Sequence, residues 1–311
     1  MLAYVIRRIL YVIPVVLGVT LITFVLFNVV GGNPVYQKLG KHASPEEIKI
    51  LTHEMGLDLT LPQQYFFYLK QCLTFNFGRS WSTNQQISSM IGAGLGPSLS
   101  LAVPAFTISV LLSVFISLGL AFFRNSLIDR FTVIMSLAGI SISLLVYIIF
   151  FQYALSYKLG IFPISGYEQS WSGRWQYLVL PGIIWVITSV GNEVLLYRTI
   201  MLDEIFQDYV RTARAKGLSE KIVLYKHVLK NAMIPIITNV VLEIPFLYTG
   251  SLLLENFFGI PGLGGMTVQA LANSDFPVIK TMTYVGSLLY VFFNLVSDLS
   301  YALVDPRIDL R

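Results

Sequence analysis

Residues 203–235 read DEIFQDYVRTARAKGLSEKIVLYKHVLKNAMIP and form the longest polar interruption in the hydrophobic part of the chain. The stretch predicts two short helices separated at Gly217, a residue suited to the left-handed conformation that follows a helix end. Asp203 or Asp208 is expected to cap the first helix, and Ser219 the second. Apolar residues recur at helical spacing in the second helix, which should therefore have one apolar face. This face comprises Ile222, Tyr225, Leu229 and Ala232, whereas Lys221, Lys226 and Lys230 lie off it.

The composition around this loop indicates an integral membrane protein. Of the 311 residues, 55% are hydrophobic and 12% are charged, whereas an ordinary globular domain averages about 25% charged residues. The single cysteine, Cys72, cannot form an internal disulfide, and we expect it to be a small buried residue. Without a cluster of cysteines and histidines, a zinc-type metal site is not supported.

Six apolar runs are long enough to cross a bilayer, which takes about 20 helical residues. The first run follows Arg7 and Arg8 and exceeds the roughly 7 to 15 residues of a signal-peptide core, so we expect it to stay as an anchor. Gly31 to Pro34 should end it. The fold class is therefore all-α, a polytopic membrane protein with six transmembrane helices. The predicted spans are residues 9–30, 97–123, 131–157, 178–197, 234–254 and 282–303.

The spans divide the chain into three parts. Residues 1–30 hold the N-terminal end and the first span, residues 31–96 form an extracytoplasmic insert, and residues 97–311 form a core of five spans. Amphipathic helices on the membrane surface are the favoured interpretation of the insert, with a platform for a partner protein as the alternative. The segment GIPGLGG at 259–265 is too rich in glycine and proline for a regular helix. Trp171 suits a membrane-interface belt, as does Trp175.

Orientation follows from the basic residues, which concentrate on the cytoplasmic side of membrane proteins. An arrangement with both termini inside leaves eight of the 21 bases outside, five of them in the long insert where the rule is weak. The loop at 203–231 then faces the cytoplasm. The bases placed inside are Arg7, Arg8, Arg124, Arg130, Arg198, Arg211, Arg214, Lys216, Lys221, Lys226, Lys230, Arg307 and Arg311.

Four stretches of the sequence resemble segments of one protein family, and they occur along this chain in the same order as in that family. The run YVRTARAKGLSEKIVLYKHVLKNAMIP is similar to the cytoplasmic EAA loop of ABC importer permeases, in the version found in the peptide/nickel (dipeptide and oligopeptide) family. The other three are YVIRRILYVIPVVLGVTLITF near the N-terminus, ENFFGIPGLGGMTVQALANSDFPVI and the tail VDPRI. One departure is visible, because Arg211 and Thr212 stand where the motif has its glutamate and first alanine, and only Ala213 is kept.

The resemblance implies a type I ABC importer permease fold in the bacterial inner membrane. It also implies a homologous sister permease, two cytoplasmic ATPase subunits and an extracytoplasmic substrate-binding protein as partners. No cofactor is expected on this chain, since ATP and magnesium would bind the ATPases, and no nucleic-acid partner is expected. The residues that the resemblance assigns to ATPase coupling are Tyr209, Arg211, Thr212, Ala213, Arg214, Ala215, Lys216, Gly217 and Leu218.

The basic loop has a second interpretation, in which anionic membrane lipids attract its positive charge. Lipid attraction explains Lys221, Lys226 and Lys230 but leaves unexplained the small residues Ala213 and Ala215 among the bases. Small side chains permit close backbone approach, and docking on an ATPase is therefore favoured.

A search for catalytic motifs supports transport over enzyme chemistry. The sequence contains no G-x-x-x-x-G-K-[ST] phosphate loop and no H-E-x-x-H or G-x-S-x-G motif, so an ATPase site on this chain is not expected. Peptide is the favoured substrate, with nickel chelates or another small solute as alternatives within the family. An ion-coupled secondary transporter and a scaffolding membrane subunit are the rival function classes.

Acidic residues within spans are costly unless they face a polar cavity or a partner. Glu243 lies deepest and is the candidate for the substrate pathway, where it would attract an ammonium group; otherwise it pairs with the sister subunit. Glu193 is expected to pair with Arg198 or to lie at the membrane interface. Asp298 is expected within reach of Arg307.

Overall fold

The computed structural model describes residues 2–30, 35, 44–54 and 56–304, and all the elements of secondary structure in these ranges are helices. The first half of the chain contains α1 (Leu2–Val25, with a π-helical continuation Leu26–Val30), α2 (Pro45–Glu54), α3 (Leu61–Thr74), α4 (Ile87–Phe122), α5 (Leu127–Ser141) and α6 (Leu144–Phe151, with π-helical Gln152–Lys158). The second half contains α7 (Trp171–Ile205), α8 (Asp208–Ala215), α9 (Glu220–Ile222, π-helical Val223–Leu229 and Lys230–Thr249), α10 (Leu252–Phe258), α11 (Leu263–Ala272) and α12 (Phe276–Val304).

Helices α1, α4, α7, α9 and α12 are long and apolar enough to cross a membrane. Helices α5 and α6 meet at a bend of 92° and give a sixth crossing when they are counted as one broken span. The predicted all-α fold with six spans is therefore confirmed, but the third span is not one straight helix. The bend arises where Ile142 and Ser143 both adopt extended backbone. The Tyr147 hydroxyl donates to the Gly139 carbonyl across the bend at 3.1 Å.

Several helix ends differ from the predicted ends, because an apolar run marks the hydrocarbon layer and a helix continues beyond it. Helix α4 begins at Ile87 and not at 97, and α7 extends past the predicted 178–197 at both ends. Helix α12 begins at Phe276 and not at 282. The fifth span ends early, at Thr249, because Gly250 with φ +65° ends α9.

The GIPGLGG segment was predicted not to form a regular helix, and this was wrong for its second half, where a helix begins. Helix α11 begins at Leu263, and Gly264 and Gly265 lie in its first turn. Their N–H groups donate to the buried carboxylate of Glu255 at 2.7 and 3.1 Å. Those hydrogen bonds satisfy two of the donors that a helix start leaves unpaired, which allows a helix to begin in a glycine-rich sequence.

The core lies between long helices that pack side by side, α4 on α7 and α9 on α12. Large apolar side chains such as Phe115 and Ile134 remain exposed along the spans, as expected for surfaces that face lipid. One buried cluster, here called the loop-side cluster, joins α4, α7, α8 and α9. Its members are Leu118, Ala121, Tyr197, Met201, Ile205, Val210, Ala213, Val223, Leu224, Val228, Ala232 and Ile236.

The described part of the insert consists of α2, α3 and the turn that leads into α4, and it is attached to the spans by side-chain contacts. The Tyr65 hydroxyl on α3 lies 3.1 Å from the Thr20 hydroxyl on α1. Asp275, just before α12, accepts four hydrogen bonds from the turn at 80–82, two from side chains and two from backbone N–H groups. Burial raises the pKa of Asp275, but the hydrogen bonds outweigh it and hold that pKa below its ordinary value. Cys72 on α3 is buried, as predicted.

Candidate functional site

The basic loop contains one short helix, α8, which lies between the ends of α7 and α9. Two of its side chains, Val210 and Ala213, are buried in the loop-side cluster. Capping differs from the prediction. Gln207 is the residue that precedes the helix, Asp208 is the first helical residue and Asp203 belongs to the last turn of α7. An acidic residue in the first turn still interacts favourably with the positive end of a helix.

The remaining surface of α8 and the turn after it is exposed, and we call it the docking surface. It includes seven of the nine predicted coupling residues; Ala213 points into the cluster and Arg214 is half-buried. Val210 and Ala213 bury one side of α8, and Tyr209 and Arg214 make hydrogen bonds to Glu204 and Glu220, while the rest of the helix surface is exposed. The docking surface comprises Tyr209, Arg211, Thr212, Ala215, Lys216, Gly217 and Leu218.

Two features hold the turn after α8 in one shape. Gly217 has φ +76°, and its N–H donates to the Arg214 carbonyl at 2.9 Å. The Arg214 guanidinium forms two hydrogen bonds with Glu220 at the start of α9, at 2.6 and 3.1 Å. The predicted break at Gly217 is therefore confirmed, as is its left-handed conformation. Ser219 takes the extended backbone of a residue that precedes a helix, but its side chain makes no capping hydrogen bond.

Tyr209 connects the docking surface with the end of α7. Its hydroxyl donates to the Glu204 carboxylate. Burial, together with this neighbouring carboxylate, raises the pKa of Tyr209 to about 12. The phenol therefore keeps its proton at neutral pH and remains a donor to Glu204.

The apolar face predicted for the second helix was wrong in its first half, because Ile222 and Tyr225 are exposed. The predicted Leu229 packs against the loop-side cluster and Ala232 is buried in it, together with Val223, Leu224 and Val228. The cause is the π-helical stretch Val223–Leu229, because a wider turn shifts which residues share a face. The helix is also not short, since it continues into the fifth span. The three lysines Lys221, Lys226 and Lys230 are exposed, as predicted.

Glu243 lies in the last third of α9, six residues before its end at Thr249, and is half-buried. Its Oε1 accepts a hydrogen bond from the Asn239 amide at 2.8 Å, one turn earlier in the same helix. Asn239 thereby holds the carboxylate on one side of α9.

Glu193 does not pair with Arg198, so the first of its two predicted arrangements was wrong. The two residues lie about 140° apart around a helix with 3.6 residues per turn. Glu193 is buried and accepts from the Ser109 hydroxyl on α4 at 3.1 Å. Arg198 instead holds Asp129 on α5 through two contacts, at 2.6 and 2.8 Å. Sequence reasoning missed Asp129, and its place between Arg124 and Arg130 gave no reason to prefer Arg198.

Glu255 is a second buried acidic residue that the sequence analysis did not identify. It is buried beside Ser98, whose hydroxyl accepts from the Leu263 N–H at 2.7 Å. Burial raises the pKa of Glu255 above its ordinary value. An acidic residue just before a run of glycines was the available signal. The other acidic prediction, Asp298 near Arg307, concerns side chains outside the part of the chain that the structure describes.

Comparison with known proteins matches almost the whole chain. Residues 111–310 match the family described as "Binding-protein-dependent transport system inner membrane component", and residues 1–102 match its N-terminal counterpart. A dipeptide transport system permease protein of Alkalihalophilus pseudofirmus is 32% identical over 99% of both chains. A dipeptide transport system permease protein of Lactococcus lactis is 34% identical over 100% of both chains.

A third relative has a different named substrate. The glutathione transport system permease protein of Salmonella typhimurium is 32% identical over 99% of both chains. All three relatives align from end to end, so the resemblance covers the insert, the spans and the docking surface together. The chain therefore belongs to the binding-protein-dependent transport system inner membrane components, as a multi-pass ABC importer permease of the peptide/nickel branch.

Proposed function

We propose that this chain is one of two permease subunits through which a bacterial ABC importer moves short peptides into the cell. The observation that carries the proposal is the construction of α8, which is exposed on most of its surface and is anchored by Val210 and Ala213 in the loop-side cluster. That cluster contains residues of α4, α7 and α9. A partner that pushes on α8 would therefore move three spans together.

The proposed partners complete the transporter. A homologous sister permease would provide the other half of the pathway, and two cytoplasmic ATPases would bind and hydrolyse ATP with magnesium. One ATPase would dock on Tyr209 to Leu218 of this chain, and an extracytoplasmic binding protein would deliver the peptide. Closure of the ATPases would rotate the attached spans and open the pathway outward. This requires both termini and the docking surface to be cytoplasmic, as the distribution of basic residues predicts.

The composition of the native complex tests the proposal as a whole. We expect the complex, purified in mild detergent through a tag on this chain, to contain a second permease and two ATPase chains. A homodimer of this chain that moves solute with an ion gradient would contradict it. Peptide is the proposed substrate because the relatives described above are named for dipeptide and glutathione transport.

Docking on α8 can be tested with Ala215→Trp. Ala215 is exposed, so a bulky ring should leave the fold intact yet prevent close approach by a partner. We expect the amount of ATPase that copurifies with this chain to fall by about tenfold or more, with the thermal unfolding midpoint unchanged. Ala272→Trp is the matched control, because Ala272 is an exposed alanine near the end of α11. Normal ATPase recovery with Ala215→Trp would show that the ATPase docks elsewhere.

The proposed role of Glu243 concerns peptides with a free amino terminus. Glu243→Gln keeps an acceptor for Asn239 but removes the negative charge, so we expect transport of a free-amine peptide to fall by roughly tenfold. Transport of the same peptide with an acetylated amino terminus should change little. Flux into proteoliposomes that contain the complete transporter measures both. An equal loss for the two peptides would assign Glu243 a structural role.

A further inference from the structure

A cavity lined by polar and aromatic residues lies between the insert and the start of α12, far from the docking surface in sequence. Its walls come from the π-helical end of α1, from α2 and the turn after it, from α3, from the segment 77–84 and from the first two turns of α12, and its volume is about 600 Å³. Pockets that bind small molecules are typically about 300 to 1,000 Å³. The cavity is therefore large enough for a small solute.

The charged residues that line the described part of the cavity are basic. Lys280 and Arg79 both line it, and none of its lining residues that the structure describes is acidic. Two carboxylates near the cavity lie outside its lining and already have hydrogen-bond partners. Asp58 contacts His53 at 2.7 Å, and Asp275 accepts the four hydrogen bonds from the turn at 80–82.

Lys280 is the central group of this cavity. Its ammonium donates to the Asn28 side-chain oxygen on the π-helical end of α1 and lies 5.7 Å from the centre of the Tyr68 ring. An ammonium has three donors, and Asn28 accepts one of them. Within the described part of the chain, no carboxylate lies within 4.0 Å of it. A cation placed in a membrane-border helix without an ion pair points to a ligand that supplies the negative charge.

The walls around Lys280 are aromatic as well as polar. Phe67, Phe77 and Trp81 line the cavity, and so does the amide of Gln71. Aromatic rings provide apolar contact area, and an amide can both donate and accept hydrogen bonds. This combination suits a ligand with one anionic end and one small apolar group.

We propose that this cavity binds a small solute carrying a carboxylate, with the carboxylate at Lys280 and Arg79 and an apolar group against Phe67 and Phe77. Lys280 is the anchor because it is partly buried, whereas Arg79 is more exposed and donates to the Asn84 carbonyl at 3.1 Å. The proposed site rests on the cavity lining alone and does not depend on the proposed import function. Failure of the site would leave the transport proposal standing.

Binding of trialanine to the full-length chain in phosphatidylcholine nanodiscs tests the site by isothermal titration calorimetry. Trialanine with a free carboxylate should bind at least about tenfold more tightly than its C-terminal amide, because a hydrogen-bonded charge pair is lost in the amide. Lys280→Met should weaken binding of the free acid by a similar factor, whereas Lys280→Arg should retain it.

One further variant is a control and another is a second test of the site. Lys70→Met removes another lysine of the insert, exposed on α3 and outside the cavity lining, and should leave binding unchanged. Arg79→Gln alters an exposed side chain and should weaken binding even if Lys280→Met fails to fold. Equal affinity for the acid and the amide would overturn the proposal. So would loss of trialanine binding when phosphatidylglycerol replaces phosphatidylcholine, because the cavity would then hold a lipid headgroup.

Discussion

Replacing Gly217 with proline is expected to abolish substrate-stimulated ATP hydrolysis by the assembled transporter while leaving the chain in the membrane. Gly217 has φ +76°, whereas a proline ring fixes φ near −65°. Proline also has no N–H to donate to the Arg214 carbonyl. The turn that presents Lys216 and Leu218 on the docking surface would therefore change shape, although the spans do not depend on it.

A matched glycine separates loss of coupling from general damage. Gly160 also has positive φ, +64°, its N–H donates to the Ser156 carbonyl, and a Cβ there meets no atom within 4 Å. Gly160→Pro should cost similar strain in the loop between α6 and α7 and should retain stimulation. ATP hydrolysis in proteoliposomes with and without substrate is the measurement. Stimulation that persists with Gly217→Pro would exclude this turn from coupling.

Removing the charge of Asp129 should give a large loss of stability. Asp129 is 2% exposed in its side chain and contacts Arg198 at 2.6 Å. Asp129→Asn would leave the guanidinium of Arg198 without its counter-charge, and we expect the free energy of unfolding to fall by about 3 kcal/mol. Equilibrium unfolding in detergent, followed by circular dichroism, measures the loss.

A second substitution tests whether the unpaired charge is the cause. Asp129→Asn combined with Arg198→Met should recover most of the stability, because replacing both members of a buried pair is often nearly neutral. Asp208→Asn is the control for an exposed pair, since Asp208 and Arg211 are 94% and 70% exposed and 3.3 Å apart. Exposed pairs contribute little. A double variant no more stable than Asp129→Asn alone would assign the loss to packing.

Apolar run length was enough to predict the spans, because the hydrocarbon layer imposes one requirement on every crossing. The bend between α5 and α6 was not predictable, since its sequence SISLLVY has neither glycine nor proline to mark it. Only the serines at 141 and 143 differ from the apolar residues around them. The Tyr147 to Gly139 contact that bridges the bend depends on tertiary structure.

The parts of the site that depend on backbone conformation were predictable from the sequence. Gly217 was identified from its residue type, because a positive φ after a helix selects glycine. The buried face of α9 was predicted only in part, since helical spacing assumes 3.6 residues per turn and the π-helical stretch Val223–Leu229 departs from it. The partner of Arg198 was also missed. Glu193 is close to Arg198 in sequence but points in a different direction from α7, whereas the actual partner, Asp129, lies on α5.

The broken third span has a consequence for how the chain enters the bilayer during synthesis. Helix α5 has 15 residues and is therefore about 22 Å long, short of the roughly 30 Å of hydrocarbon. Helix α6 and its π-helical continuation are no longer than α5. Neither α5 nor α6 with its π-helical continuation is long enough to insert as a separate span when it leaves the ribosome. The two helices must partition into lipid together or wait for α7, whose Arg198 then binds Asp129 on α5.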